Sequence, residues 1–171
     1  MIDSIILATL WDEAKHGYRV KKEAGLLLGL ADLHNNIVYP LLRRFTAEGL
    51  VRKKAAPGQR GQMRQVYALT PRGRRTLIER LSAFGAEEAK SPEEFLLRVG
   101  MFEALAPEAR ARILQERAGA LRARIEALQR VREQLAIDEY GSEVIEYLLE
   151  RLALELRWIE RQRGRPRRRS K

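Results

Sequence analysis

The 171 residues include no cysteine, which excludes disulfides, zinc ribbons, iron–sulfur clusters and thiol catalysis. Histidine occurs only as His16 and His34, too few for a His-built metal site or a Ser/His triad without unusual economy. No apolar run approaches the ~20 residues a membrane helix needs. The opening Ile2–Leu10 stretch lacks a basic leader and a small-residue cleavage site. There is no phosphate-cradling Gly-x-x-x-x-Gly-Lys-Ser/Thr loop, no nucleophile elbow and no metal-spaced carboxylate set. The expectation is a soluble cytoplasmic protein that is not an enzyme and has no cofactor, metal or membrane partner. Hydrophobic residues make up 45%, enough to bury a core, and the length suits one domain, or one small domain with an appendage.

What the chain has is positive charge, +10 overall, unevenly spread. Residues 1–84 hold 15 basic and 7 acidic side chains, 85–160 hold 11 and 16, and 161–171 hold 7 and none. A basic front and a basic tail flank an acidic, Leu-rich middle. Such a field attracts polyanions, above all phosphate backbones; the plainer alternative is a merely solubilising surface.

Ile5, Ile6, Leu7 and Leu10 form a first helical stripe, interrupted by His16-Gly17-Tyr18. A second short helix follows. A third starts at Asn35 or Asn36, both good N-caps, and reads Ile37, Leu41, Leu42, Phe45. Pro40 is expected near its first turn, where it costs least, and Gly49 beyond its end. Two extended runs, Leu50–Ala55 and Met63–Leu69, flank a Pro/Gly loop and predict a β-hairpin. Thr70-Pro71 then opens another helix. Three helices and a hairpin predict a winged helix-turn-helix with a two-stranded wing over residues 1–84.

Ser91-Pro92-Glu93-Glu94 has the form of a capping box. Beyond Pro107, Leu114, Ala118, Leu121, Ile125, Leu128, Arg132 and Leu135 alternate in steps of four and three. After Gly141-Ser142, Ile145, Leu149, Leu152, Leu156 and Ile159 keep the same rhythm. The pattern predicts an antiparallel hairpin of long helices over residues 91–163, making the fold mainly α. Each seam also wants a further partner. A homodimer through Leu114, Leu121, Ile125, Leu128, Leu135, Ile145, Leu149, Leu152, Leu156 and Ile159 is the expectation. Residues 164–171 read as a disordered basic tail, either solubilising or a sequence-independent DNA arm.

Three segments in register resemble the PadR family of transcriptional regulators. They are His16-Gly17-Tyr18; Tyr39-Pro40-Leu41-Leu42-Arg43-Arg44-Phe45 through Glu48-Gly49-Leu50; and Gly61 through Gly73, with Tyr67-Ala68-Leu69-Thr70-Pro71 inside it. The match spans about residues 5–80, and the long C-terminal helices resemble the family's longer branch with its α-helical dimerisation domain. Gln62 and Gln65 depart from the family's wing proline and basic residue, and the basic tail lies outside the pattern. The resemblance implies a repressor on an inverted repeat, often released by a small aromatic molecule. Trp11 and Trp158 are the candidates to line such an effector pocket, with ordinary packing the simpler reading.

A groove-reading helix needs polar side chains for base edges and cations for phosphates. Asn35, Asn36, Tyr39, Arg43 and Arg44 supply these on the third helix, with capping the competing role for one asparagine and a half-core position that for Tyr39. Arg60, Gln62 and Arg64 extend the contact along the wing. Lys15 and Tyr18 form a phosphate clamp at the start of the second helix. The partner is double-stranded DNA. A rival of another class is an interaction adaptor that docks its Leu-rich hairpin on a partner protein.

Overall fold

The computed structural model describes residues 1–29, 33–57 and 63–164, in two compact units. Unit 1 comprises Met1–Ala83 with Leu96–Leu105; unit 2 comprises Phe84–Phe95 with Ala106–Lys171. Among the described residues no helix is long and apolar enough to cross a membrane. None of their His, Asp and Glu side chains form a group of three that could hold a metal ion.

Unit 1 is built on α1 (Ile2–Thr9), β1 (Lys15–His16), α2 (Gly17–Leu27), α3 (Asn35–Ala47), β2 (Val51–Pro57), β3 (Met63–Leu69) and α4 (Pro71–Ser82). Ile5, Ile6 and Leu7 meet Val20 and Ala24, Val38, Leu42 and Phe45, and Leu77 and Leu81 in a core closed to water. Each fully buried aliphatic or aromatic side chain contributes roughly 1.5–3 kcal/mol. The sheet has three antiparallel strands in the order β1-β3-β2, one more than expected. The added strand is the pair Lys15↔Tyr67 and His16↔Val66 on the free edge of β3. Two residues are too short to show a period of two, so only the partner strand defines them.

The turn out of α3 explains the Glu48-Gly49-Leu50 motif. Gly49 takes a left-handed φ of 70°, its N–H donates to the Thr46 carbonyl, and the Leu50 N–H reaches back to Phe45 at 2.9 Å. This is a Schellman cap with its apolar pair, Leu50 against Phe45, buried. The next motif docks on it. Thr70 caps α4 by accepting from the Gly73 N–H, while its hydroxyl donates to the Gly49 carbonyl at 2.8 Å. Gly73 lies directly on the Leu50 carbonyl oxygen, leaving no room for a Cβ. At the other end of α4, buried Arg98 donates to the carbonyls of Leu81 and Ala83. It satisfies terminal acceptors that the helix cannot.

Pro40 is the sixth residue of α3 rather than part of its first turn. Lacking an N–H, it leaves the Asn36 carbonyl without its helical donor.

Unit 2 centres on α6 (Pro107–Gln134) and α7 (Glu139–Arg163), joined by four residues. Two packed helices with so short a connection run antiparallel. Asp138 caps α7 by accepting from the Gly141 N–H at 2.7 Å. The buried Arg117 guanidinium ties the hairpin together: it donates to both carboxylate oxygens of Glu155 and to the Ala89 carbonyl. It also faces the Phe95 ring. Phe95 is the fourth residue of α5 (Pro92–Gly100), a helix whose residues divide between the units. The Ser91 hydroxyl accepts from the Glu94 N–H and donates to Glu93, as an N-cap does.

The seam expected to serve both the hairpin and a second copy closes largely within the hairpin. Leu114, Leu121, Leu128, Ile145 and Ile159 are buried within the single chain. Ile125, Leu149, Leu152 and Leu156 are half-buried. A helix joined to its neighbour by four residues meets that neighbour before any second molecule, and the hairpin takes the seam. Leu135 lies beyond α6 and is exposed. The apolar residues left outside on α7 are Tyr140, Val144, Tyr147 and Leu154. The predicted disordered tail lies, from residue 165 on, outside the described residues.

Candidate nucleic-acid interface

The helix pair α2 and α3 and the β2–β3 hairpin carry the candidate site. Helix α3 buries Val38, Leu42 and Phe45. Helical spacing then puts Asn36, Tyr39, Pro40 and Arg43 on its outer side. Asn36, Pro40 and Arg43 are exposed and Tyr39 is half-buried. No acidic residue occurs among residues 35–47.

Asn35 and Asn36 do not cap α3. His34 occupies the N-cap with extended backbone angles (φ −68°, ψ 144°) and makes no side-chain cap bond. Both amides fall in the first turn and are exposed. His16 holds the same uncapped position before α2, and neither helix has an acid in its first turn. Both helices of the pair therefore present backbone N–H groups without a side-chain acceptor, which suits an incoming anion. The imidazole Nδ1 of His16 is buried without a hydrogen-bond partner.

Tyr39 explains why two motifs occur together. A Cβ on Gly17 would sit 2.7 Å from the Tyr39 ring, so the glycine makes room for the tyrosine. Tyr67 lies close by. Burial pushes its phenol above the ordinary value, the Tyr39 phenol adds to this, and the Arg43 guanidinium pulls the other way. Tyr39, Arg43 and Tyr67 thus form one cluster where α3 meets β3, with Tyr39 packed on one side and open on the other.

The cations divide into engaged and unengaged groups. Lys15 does not fit the predicted phosphate clamp: it lies on β1, is buried, and donates to Glu23 at 2.6 Å. Arg44, one residue round the helix from Arg43, pairs with Asp3 on α1 and with Glu48. Among the described residues, Arg43, Lys22, Arg52, Lys53, Lys54 and Arg64 have no ion pair, and all are exposed. Tyr18 is exposed beside Lys21. The pairs Arg52↔Ala68, Lys54↔Val66 and Ala56↔Arg64 put Arg52, Lys54 and Arg64 on one hairpin face. Lys53, opposite Tyr67, shares the other face with the Tyr39 cluster. Sequence reasoning missed Arg52, Lys53 and Lys54, although their unbroken run in a strand next to a turn was a visible signal. Arg60 and Gln62 lie outside the described residues.

Both tryptophans are engaged within their own units. Trp11 lies under the Arg74 guanidinium, 4.6 Å from its centroid. Trp158 meets Phe95 edge-on at 6.1 Å.

The Lys15–Glu23 pair makes a pH prediction. Burial would push the Glu23 carboxyl up, but the hydrogen bonds from Lys15 and Arg19 outweigh it and hold the group below its ordinary value. A carboxyl depressed on folding stabilises fully above its unfolded pKa, about 4.3, and loses that contribution as pH falls through the folded value. Glu23→Gln is therefore expected to lower the melting temperature at pH 7 and to differ little from wild type near pH 3. Thermal unfolding across that range checks it; an equal deficit at both ends would contradict the assignment.

Residues 6–79 match the family model described as "Transcriptional regulator PadR-like family". Among solved structures, Bacillus subtilis PadR in complex with operator DNA is 21% identical over 93% of this chain and 95% of that one, with a TM-score of 0.46. The same protein in complex with p-coumaric acid is 20% identical, covering 93% and 94%, at 0.41. RosR of H. salinarum is 25% identical, covering 60% and 88%, at 0.43. No curated protein matches the chain.

Proposed function

We infer from the match of residues 6–79 to the PadR-like family of transcriptional regulators that the chain regulates transcription as a homodimer, repressing from an inverted repeat in duplex DNA in the cytoplasm. The observation that carries this reading is the outer side of α3, where the Asn36 amide and the Arg43 guanidinium stand exposed beside the half-buried Tyr39, with no acid among residues 35–47. The major groove is about 12 Å wide and admits such a helix. Asn36 and Arg43 read base edges there, and Asn35 and Tyr39 support them at the rim. The uncapped starts of α2 and α3, with Tyr18 and Lys22, hold phosphates. The wing, through Arg52, Lys54 and Arg64, grips the flanking backbone.

The dimer contact belongs to the side of α7 that the hairpin leaves uncovered. Tyr140, Val144, Tyr147 and Leu154 follow steps of four, three and seven, with Arg151 stacked on Tyr147 in the gap. Such spacing makes a stripe that a second copy of itself can cover. Trp11 and Trp158 are taken up by Arg74 and Phe95, so the reading assigns no aromatic effector to either.

Selection of bound fragments from random duplex DNA tests the function. The expected consensus is palindromic, with half-sites about 10 base pairs or a multiple apart. Absence of any enriched sequence would overturn the reading. Replacing Tyr147 and Leu154 with glutamate is expected to give monomers by sedimentation and to lower operator affinity about 100-fold. If the variant stays dimeric, the contact is elsewhere; if the unaltered chain is itself monomeric, α7 serves a protein partner instead, as in an adaptor.

A further inference from the structure

We propose that Met63, at the outer end of the wing, enters the minor groove beside the major groove occupied by α3 and makes the site prefer A·T pairs there. The placement rests on the reading above, in which α3 lies in a major groove. Strand β1 pairs with β3 only at Tyr67 and Val66. The pairs Ala55↔Gln65, Ala56↔Arg64 and Pro57↔Met63 therefore project beyond the three-stranded sheet as a bare two-stranded ribbon. Ala55, Met63, Arg64 and Gln65 in that ribbon are exposed. Met63 is 64% exposed and is the one large apolar side chain exposed on the hairpin among the described residues. The register puts it on the same face as Gln65, Lys53 and Tyr67, the face that joins the Tyr39 and Arg43 cluster of α3 through Tyr67.

From Tyr67 to Met63 the strand advances four residues, about 13 Å at roughly 3.3 Å per residue. That exceeds the major-groove width of about 12 Å, so a ribbon leaving α3 crosses one row of phosphates and reaches the next groove. Cations stand ready for the crossing: Arg52, Lys54 and Arg64 on the opposite face and Lys53 on this one, all exposed and without an ion pair among the described residues. A methionine among them offers a phosphate nothing. It suits the minor groove instead, where apolar side chains wedge between base steps, and its unbranched chain fills irregular gaps. An A·T pair shows only acceptors on the minor-groove floor, whereas G·C adds the guanine amino group. A side chain whose only polar atom is a weakly accepting sulfur cannot satisfy that donor.

The test measures binding of the full chain to a labelled A·T duplex of about 30 base pairs, roughly three helical turns, and to the same duplex with every adenine replaced by 2,6-diaminopurine. That base adds the minor-groove amino group and leaves the major-groove edge unchanged. The unaltered chain is expected to bind the first duplex about tenfold more tightly. Met63→Leu should keep that preference. Met63→Ala should bind both duplexes alike, with an unchanged slope of log affinity against log salt because no phosphate contact is lost. Arg64→Ala should do the reverse, keeping the preference and lowering the slope by about 0.9 for each phosphate released. A preference that survives in Met63→Ala would overturn the proposal. So would the absence of any preference in the unaltered chain, or a Met63→Ala loss equal on both duplexes. These duplexes need no operator, so the two readings fail apart: selection without an enriched sequence sinks the α3 reading, while an enriched palindrome with a preference independent of Met63 sinks only this one.

Discussion

Affinity for the selected operator is expected to fall about 100-fold or more when Asn36 and Arg43 are both replaced by alanine, with the dimer and the melting temperature intact. A well-placed bidentate pair to a base is worth roughly 1–3 kcal/mol, and a dimer loses both copies. The two side chains are seven residues apart on α3, exposed and unpaired, so their removal costs the fold nothing. Arg44→Ala is the informative comparison. Its guanidinium is held by Asp3 and Glu48, so its loss should cost DNA binding less than tenfold and cost some stability instead. Fluorescence anisotropy on operator and scrambled duplexes separates these outcomes. If Arg44→Ala weakens binding as much as Arg43→Ala, the groove-facing side of α3 has been misassigned by about a third of a turn.

The second large effect concerns folding. Gly73→Ala would drive a Cβ into the Leu50 carbonyl oxygen. That oxygen cannot retreat, because it accepts from the Thr70 N–H and lies next to the Schellman cap of α3. Overpacking typically costs about 1–3 kcal/mol, and a rigid backbone neighbour puts this site at or above the upper end. For a chain of this size the melting temperature should drop by about 6–12 °C. Gly119→Ala provides the control. Gly119 is exposed within α6, and a Cβ there meets nothing within 4 Å. Removing its conformational freedom should stabilise by about 0.5–1 kcal/mol. Calorimetry on both variants tests the pair of predictions, and a neutral Gly73→Ala would mean that the junction of α3, β2 and α4 is looser than drawn.

Two glycines mark how far a one-dimensional reading goes. In sequence, Gly49 was legible as a helix terminator because a glycine after an apolar helical stripe has few other uses. Gly73 lies inside α4, where a glycine is a defect until the Leu50 carbonyl is seen against it. Tyr39 and Gly17 behave alike: 22 residues apart, they are two motifs in the chain and one contact in the fold. The third strand escaped notice because Lys15–His16 has no pattern of its own.

Charge shows the same division. Counting residues finds that the first 84 are basic, but not which cations remain available. Lys15 and Arg44 were expected at the interface and are engaged by Glu23 and Asp3. Arg52, Lys53 and Lys54 were passed over as strand residues and stand exposed. Ion pairs between residues 8 and 41 positions apart depend on which helices become neighbours, and local spacing cannot report that.

The amino-acid order alone determined the elements and their kinds: a helix-turn-helix, a hairpin and two long helices, because hydrophobic period, capping residues and turn residues act over only a few positions. It also determined that residues 1–84 and 161–171 are strongly basic, because charge is a count of residues and needs no fold. Tertiary structure decided which apolar seam closes within the hairpin and which stays open on α7, and which arginine faces outward. Those outcomes depend on burial and on pairing between distant residues, which arise only once the chain has folded.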